Sequence, residues 1–266
     1  MTRCKFLFFI SVMVGFAGLA HAGFDDGKAA YEKGDYGRAY TEMRPLAEQG
    51  QAPAQFYLGH MYDLGQGVQK DRAEALKWYR KSADQGFGLA QVSMGLAYDF
   101  GQGVPQDYAE AARWYRKSAD QGSANAQCNL GVMYANGHGV PRDFSEAAKW
   151  WRMAAEQGDA EAQSNMGMLY TKGQGVPQDD AEAAKWWRMA ADQGDVTQQF
   201  NMGVMYENGQ GVPKDYVQAH KWFELAAVQG DSEARKRLDL LAGKMTPDQI
   251  AEAIRLAREW KPKGRD

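Results

Sequence analysis

One 36-residue pattern occurs five times in this 266-residue chain. Its clearest copy is residues 162–194, AQSNMGMLYTKGQGVPQDDAEAAKWWRMAADQG. Successive copies place their first glycine 36 residues apart, at Gly59, Gly95, Gly131, Gly167 and Gly203. A fixed period of this length is typical of solenoids, in which a unit buries its apolar face only against its neighbours. The sequence therefore predicts a repeat array.

The second half of each copy predicts an amphipathic helix. In the fourth copy, small and aromatic residues recur at helical spacing: Ala183, Trp186, Trp187, Ala190 and Ala191. An Asp precedes each such helix, with Glu or Gln three residues later, which is the spacing of an N-cap and its reciprocal partner. A glycine follows each helix, as expected for a left-handed C-terminal residue.

The first half of each copy predicts a shorter helix. Ala162, Met166 and Tyr170 share one face, and the helix should stop at the glycine loop 173–176. Each unit is therefore helix, glycine loop, helix. The predicted fold is all-α: a right-handed superhelix, or solenoid, of antiparallel helix pairs.

The pattern A-Q-x-x-L/M-G-x-x-Y-x-x-G-x-G-V-P-x-D-x-x-x-A-x-x-W-W/Y-x-x-A-A-x-Q-G resembles the Sel-one-like repeat (SLR) family, a relative of the tetratricopeptide repeat with a longer loop between its helices. The resemblance runs over residues 54–230. The expected layout is a signal peptide at 1–22, an N-terminal capping helix pair at 23–50, repeats at 51–86, 87–122, 123–158, 159–194 and 195–230, and C-terminal capping helices and tail at 231–266.

The N-terminus has the form of a secretory signal. Arg3 and Lys5 precede an apolar run over residues 6–20, and small residues flank His21 where a signal peptidase would cut, after Ala22. The run is too short to favour a membrane span, although an uncleaved anchor is the alternative. We therefore expect a periplasmic or secreted protein with no transmembrane segment after cleavage.

Net charge limits the classes of partner, and cysteine content limits what can stabilise the fold. Without Arg3 and Lys5, the chain has 29 basic and 34 acidic residues, which gives a net charge of about −5. We therefore expect no nucleic-acid partner. Without Cys4, Cys128 is the one cysteine of the mature chain, so packing must stabilise it. We expect Cys128 to be a small core residue; an intermolecular disulfide is the alternative.

No catalytic, metal-ligand or cofactor motif is recognisable. His60, His138 and His220 lie in different repeats without ligand partners at metal-site spacing, and the segment 63–74 has glycines where a calcium loop needs oxygen ligands. The nucleophile-elbow, P-loop and dinucleotide motifs are also missing. We expect no catalytic residues, no metal, no cofactor and no enzymatic activity.

A stripe on the first helices, opposite Leu58 and Tyr62, is the predicted partner-binding site. By resemblance to tetratricopeptide arrays, these helices would line the concave face, where ligands dock. The predicted residues are Phe56, His60, Asp63, Val92, Leu96, Asp99, Cys128, Val132, Ser164, Met168, Phe200, Val204 and Glu207. The alternative is that these side chains only pack between neighbouring first helices.

The sequence thus predicts a monomeric, exported scaffold, adaptor or regulator that binds a protein or peptide of the cell envelope. One alternative is binding or hydrolysis of β-lactams, which the resemblance associates with cysteine-rich members of the family. Another is a self-assembling structural envelope protein.

Overall fold

The computed structural model describes residues 22–263, which divide into two compact units, residues 22–142 and residues 143–263. This range contains fourteen α-helices and no strand. The helices of the first unit are α1 (Ala22–Glu32), α2 (Tyr36–Glu48), α3 (Ala52–Leu64), α4 (Arg72–Asp84), α5 (Gly88–Phe100), α6 (Tyr108–Ala119) and α7 (Ala124–Asn136). Those of the second unit are α8 (Phe144–Glu156), α9 (Ala160–Lys172), α10 (Asp180–Asp192), α11 (Val196–Asn208), α12 (Tyr216–Val228), α13 (Ser232–Ala242) and α14 (Pro247–Glu259).

The helices reproduce the 36-residue period. The first helices of the five repeats, α3, α5, α7, α9 and α11, begin 36 residues apart, at residues 52, 88, 124, 160 and 196. Within each unit, a first helix packs against the second helix of its own repeat, as in α3 with α4 and α11 with α12. It also packs against the second helix before it, as in α5 with α4 and α11 with α10. The predicted all-α repeat solenoid is therefore confirmed.

At least one aromatic residue of each pair in the second helices is buried in the core, whereas Trp78, Trp150 and Trp187 are half-buried. Trp114 and Tyr115 are buried in the first unit, and Trp222 and Phe223 are buried in the second. The small residues beside them are buried too, because they let a neighbouring helix approach closely. These positions therefore hold the repeats together.

The predicted Asp N-caps of the second helices are confirmed, but the predicted reciprocal bond from the third helical residue is not. Asp107, for example, accepts from the backbone nitrogens of Ala109 and Glu110 at 2.9 and 3.0 Å. Helices α8, α10 and α12 begin in the same way, and at α4 Asp71 accepts from the backbone nitrogen of Glu74. The expected reciprocal bond from the acidic third residue is replaced by a surface ion pair, as between Glu74 and Lys77 at 2.8 Å. A full capping box occurs at α14, where Thr246 and Gln249 bond each other's backbone nitrogens.

The glycine in the middle of each first helix marks a close approach. A Cβ on Gly203 would lie 2.5 Å from the Phe223 ring, and one on Gly167 would overlap the Trp187 ring. Real Cβ atoms do not come this close to ring atoms. Glycine therefore allows the first and second helices of a repeat to pack backbone against ring.

Buried glutamines connect successive repeats. Gln199 donates to the Ala191 carbonyl at the end of α10, at 3.3 Å, and its own carbonyl accepts from Gln229 at 2.8 Å. The same pair of bonds joins Gln55 to Ala47 and Gln85. These bonds add a second donor to helix-end carbonyls that already accept from the backbone nitrogens of Gly194 and Gly50.

The C-terminal segment does not build a sixth repeat. Helix α14 packs against α12, the last second helix, instead of pairing with α13. Beyond it, the backbone nitrogen and the Nζ atom of Lys263 donate to Asp192 at 2.8 and 2.7 Å. The position 36 residues after Gly203 is Asp239, which has the Cβ that close helix packing excludes.

Two sequence expectations concern the N-terminus and Cys128. Residues 1–21, which hold nearly all of the predicted signal peptide, lie outside the described range. Cys128 is buried, as expected of a small core residue, and it is disulfide-bonded.

Candidate protein-binding surface on the first helices

The predicted binding stripe is more buried than expected. None of its thirteen residues is exposed, and six are buried: Phe56, Val92, Asp99, Cys128, Val132 and Glu207. The remaining seven are half-buried: His60, Asp63, Leu96, Ser164, Met168, Phe200 and Val204. The expectation that the whole stripe is accessible to a partner is therefore wrong.

Contacts between neighbouring repeats explain this burial. In the second unit, Glu207 at the end of α11 accepts from Arg237 of α13 and from Lys244, both at 3.1 Å. Ser164 of α9 donates to the Ala160 carbonyl at 2.8 Å and lies 3.5 Å from Asp195, the N-cap of α11. These side chains serve the packing between first helices.

The first unit shows the same arrangement. The Phe56 ring lies 5.4 Å from that of Phe87, the N-cap of α5, and 5.8 Å from that of Tyr79. Asp63 is held by Arg72 of its own repeat, with 3.0 Å between Oδ1 and Nε. The alternative of packing between repeats thus describes this end of the stripe.

A neighbouring line of residues has exposed side chains at its two ends, whereas its middle positions are buried or half-buried. It consists of positions 53, 57, 60 and 64 of the first repeat and the positions 36 residues later in each following repeat; we call it the first-helix line. Its spacing of i, i+4, i+7 and i+11 keeps it on one helix face. The last position is exposed in every first helix: Leu64, Phe100, Asn136, Lys172 and Asn208.

The first-helix line and the predicted stripe share one position. They overlap at His60 and its equivalents, but Phe56 and Asp63 are replaced by Tyr57 and Leu64. One residue is about 100° of rotation around a helix. The predicted stripe is therefore turned toward the next first helix, and the position that it shares with the first-helix line is half-buried in four repeats and buried at Val132.

Exposed apolar side chains mark this line in the first unit. Leu64, Leu89 and Phe100 have 49%, 36% and 46% of their surface exposed. They are the exposed large apolar residues of the described part of this unit, and all three lie on the line. Leu96, between Leu89 and Phe100 on α5, is half-buried.

The line is more polar in the second unit. Lys172, Thr197 and Asn208 are its exposed residues there, next to the half-buried Met168 and Val204. The exposed large apolar residues of the second helices in this unit are Met153, Met189 and Val228. The two units therefore present different chemistry along the same register.

His60 lies on this line within a polar cluster. The Tyr31 hydroxyl donates its one hydrogen to Gln66 Oε1 at 2.8 Å, so its oxygen accepts from His60 Nδ1 at 2.6 Å. Burial lowers the pKa of His60, although the charge of Asp63 opposes the shift. Burial, with a smaller effect of Tyr36, raises the pKa of Tyr31 to about 12. A neutral imidazole in a structural hydrogen-bond chain fits these shifts.

The described part of the chain was also searched for metal sites and for membrane-spanning helices. Within residues 22–263 there is no group of three or more His, Cys, Asp or Glu that could hold a metal ion. In the same range the helices have at most 13 residues, and none is long and apolar enough to cross a membrane. The surface is thus the candidate site.

Leu64, Leu89 and Phe100 were missed by the sequence reasoning, although a signal was available. The core positions of the first helices hold the same few residue types in every repeat, whereas position 64 holds Leu, Phe, Asn, Lys and Asn. This variation indicates that position 64 and its equivalents are not constrained by the packing that the repeats share. Positions 56 and 63 of the predicted stripe vary as well, so variation alone did not show which of the two lines is exposed.

Comparisons with known proteins agree with this architecture. The family model of the Sel1 repeat matches five times, at residues 52–87, 88–123, 124–159, 160–195 and 199–231. A search of curated proteins gave no match.

Two solved structures are similar in sequence and fold. One is c5321, a protective antigen present in uropathogenic Escherichia coli strains displaying an SLR fold: it is 38% identical over 91% of this chain, with a TM-score of 0.81. The match covers 54% of c5321, so this chain spans about half its length. The other is a Sel1 repeat protein from Oxalobacter formigenes, 35% identical over 89% of this chain and 99% of that protein, with a TM-score of 0.75. The chain therefore belongs to the Sel1 repeat family, whose members are generally protein-interaction scaffolds.

Proposed function

We propose that this protein is an exported scaffold or adaptor of the cell envelope that binds a protein partner through its first-helix line. The observation that supports this most is the exposure of Leu64, Leu89 and Phe100 on that line; they are three of the seven exposed large apolar residues within residues 22–263 and all of those within residues 22–142. Exposed apolar side chains gathered on one face are typical of interaction sites.

The family supports the binding role, and the N-terminal sequence supports the location. Sel1 repeat proteins generally act as interaction scaffolds and typically not as enzymes. Residues 1–22 have the order of a cleavable secretory signal: basic residues, an apolar run and small residues before the cut. The partner is then a protein of the envelope or the periplasm.

The partner-binding role can be tested with matched variants of residues 23–266. Leu96 and Met168 are half-buried on the first-helix line, one in each unit, and Met189 is exposed on a second helix. Envelope proteins bound by the unchanged chain are compared with those bound by Leu96→Glu with Met168→Glu, and by Met189→Glu as the control. We expect the line variant to lose its specific partner and the control to keep it.

Circular dichroism must show that both variants keep the helical fold. If the line variant holds the partner as well as the unchanged chain does, binding is elsewhere and the proposal is wrong. The location has its own test: N-terminal sequencing of the protein from the periplasmic fraction should begin at Gly23, and protein confined to the cytoplasm would contradict export.

A further inference from the structure

Four of the five second helices carry the same ion pair near their start. Its acidic member is the glutamate at the third helical position, and its basic member follows three residues later. The pairs are Glu74 with Lys77, Glu110 with Arg113, Glu146 with Lys149, and Glu182 with Lys185. In the fifth repeat the glutamate is replaced by Gln218, whose amide is neutral, whereas the basic residue is kept as Lys221.

The glutamate of the second repeat also holds a second cation. Its Oε2 atom lies 3.3 Å from Arg113 on its own helix, and its Oε1 atom lies 3.7 Å from Arg80 on α4. The carboxylate of Glu110 therefore bridges two basic residues of successive second helices. The residues at these positions three repeats later are Arg188 on α10 and Gln218 and Lys221 on α12. Both cations are kept there, and the bridging acid is missing.

The two cations of the second unit keep the arrangement of their equivalents. In the first unit, the Cζ atom of Arg80 lies over the Trp114 ring, 5.1 Å from its centroid. In the second unit, the Cζ atom of Arg188 lies in the same way over the Trp222 ring, at 6.0 Å. The Nζ atom of Lys221 lies 4.4 Å from the Trp222 centroid as well. Arg188 and Lys221 therefore approach one ring, as their equivalents approach one carboxylate.

Neither cation forms an ion pair within the described part of the second unit, residues 143–263. Arg188 donates to the Tyr206 hydroxyl at 2.8 Å, which occupies one of its five N–H groups. Asp192, four residues after Arg188, is bonded instead to Lys263, with 2.7 Å between Oδ2 and Nζ. Together with Lys221, the three basic side chains exceed this one carboxylate by two positive charges.

Lys221 is also more sheltered than its equivalents. It is half-buried, whereas the basic residues at the same position in the other four repeats are exposed. Burial lowers the pKa of Lys221, and the charges of Arg188 and Lys263 lower it further, while Asp192 opposes the shift. A sheltered ammonium group without an acceptor is unfavourable. A bound anion supplies that acceptor and offsets the repulsion between the cations.

We propose that Arg188 and Lys221 bind a phosphate group at the place that corresponds to the Glu110 carboxylate of the second repeat. A guanidinium group offers phosphate two parallel N–H donors, and an ammonium group adds a compact positive charge. The excess of two positive charges matches a phosphate monoester, which carries about two negative charges at neutral pH. The source of that group is either a free phosphomonoester or a lipid headgroup of the same chemistry.

The experiment uses residues 23–266 and NMR spectroscopy at constant ionic strength, at a pH where phosphate is mainly a dianion. The indole N–H signal of Trp222, whose ring both cations approach, is followed as inorganic phosphate is added. We expect a saturable shift of this signal, and about tenfold weaker binding of acetate because it carries half the charge. Co-sedimentation with phosphatidylcholine vesicles, with and without phosphatidic acid, tests the lipid source.

Gln218→Glu is the sharpest variant, because it restores the acid that the other four repeats have. Its carboxylate should pair with the two cations and weaken phosphate binding by about tenfold or more. Arg188→Gln with Lys221→Gln should weaken binding by a similar factor, because the charged donors are lost. Gln210→Glu adds the same charge at an exposed loop position and should leave the Kd unchanged. Circular dichroism must show that every variant keeps the helical fold.

Each outcome decides for or against the site. Absence of binding to both free phosphate and the phosphatidic acid vesicles would overturn the inference. An unchanged Kd in Gln218→Glu, an equal loss in Gln210→Glu, or acetate that binds as tightly as phosphate would overturn it too. Binding to the phosphatidic acid vesicles alone, abolished by Gln218→Glu, would support the site and identify a lipid headgroup as the source. Binding of free phosphate alone would support it with a soluble phosphomonoester as the source.

Discussion

At the scale of single residues, the repeated glycine of the first helices is explained by the short distance between its backbone and an aromatic ring of the second helix. Gly203 lies where a Cβ would meet the Phe223 ring at 2.5 Å, whereas Asp239, one period later, is on a helix with no second helix of its own to pack against. The glycine is therefore required by its neighbour and not by helix formation, since glycine costs about 1 kcal/mol relative to alanine inside a helix.

Substitution of Gly203 by alanine should destabilise the protein by about 1 to 3 kcal/mol, because overpacking forces Phe223 or the helix to move. Gly37 is also helical, but a Cβ added there would have no atom within 4 Å, so it provides a matched control. Gly37→Ala should be neutral or stabilising by up to about 1 kcal/mol. Urea unfolding of both variants checks this, and equal effects would contradict the packing argument.

At the scale of helices, the second helices could be predicted from sequence in detail and the first helices only in part. The second helices have one apolar face, an Asp cap and a terminal glycine, and each signal corresponds to what the structure shows. A first helix contacts two second helices and its neighbouring first helices. Apolar residues therefore surround most of it, and periodicity alone did not identify the face that remains outside.

The exposed residues of the first helices were hidden for the same physical reason. Leu64 and Phe100 are apolar and fit an expectation of burial, yet they are exposed, whereas the acidic Asp99 and Glu207 are buried. Their orientation depends on where the next repeat packs. That information lies in contacts 30 residues away, such as Glu207 with Arg237, and not in the local pattern.

The helix caps predict a measurable loss. The Asp215 carboxylate accepts from the backbone nitrogens of Val217 and Gln218 at 2.9 and 3.0 Å, so Asp215→Ala leaves the first turn of α12 without these bonds. We expect a loss of about 1 kcal/mol in unfolding free energy. Asp239→Ala, at an exposed position on α13, is the control and should change stability by less than about 0.5 kcal/mol. A control that loses as much as the cap variant would count against this account.

At the scale of the whole molecule, stability should depend on pH through two histidines. Burial lowers the pKa of His60 and of His220 below the ordinary 6.5, while Asp63 and Glu224 respectively oppose the shift. The unfolded chain therefore binds protons at a higher pH than the folded chain does. Stability is fully present above about pH 6.5 and decreases as the pH falls toward the lowered pKa values.

Thermal unfolding at a series of pH values checks this dependence. The unchanged protein should lose Tm as the pH falls below 6.5. The double variant His60→Gln with His220→Gln should have a lower Tm at neutral pH, because buried contacts are lost, but a flatter dependence on pH in this window. The same slope in both proteins would show that these histidines do not carry the effect.

The central claim is that a partner contacts the first-helix line while the outer side of the second helices stays accessible. Methionine oxidation of the complex, followed by mass spectrometry, tests it directly because both sets of helices carry methionines, Met168 half-buried on a first helix and Met153 and Met189 exposed on second helices. We predict that partner binding protects Met168 and leaves Met153 and Met189 as reactive as in the protein alone. Protection of Met153 and Met189 with Met168 unchanged would contradict the claim.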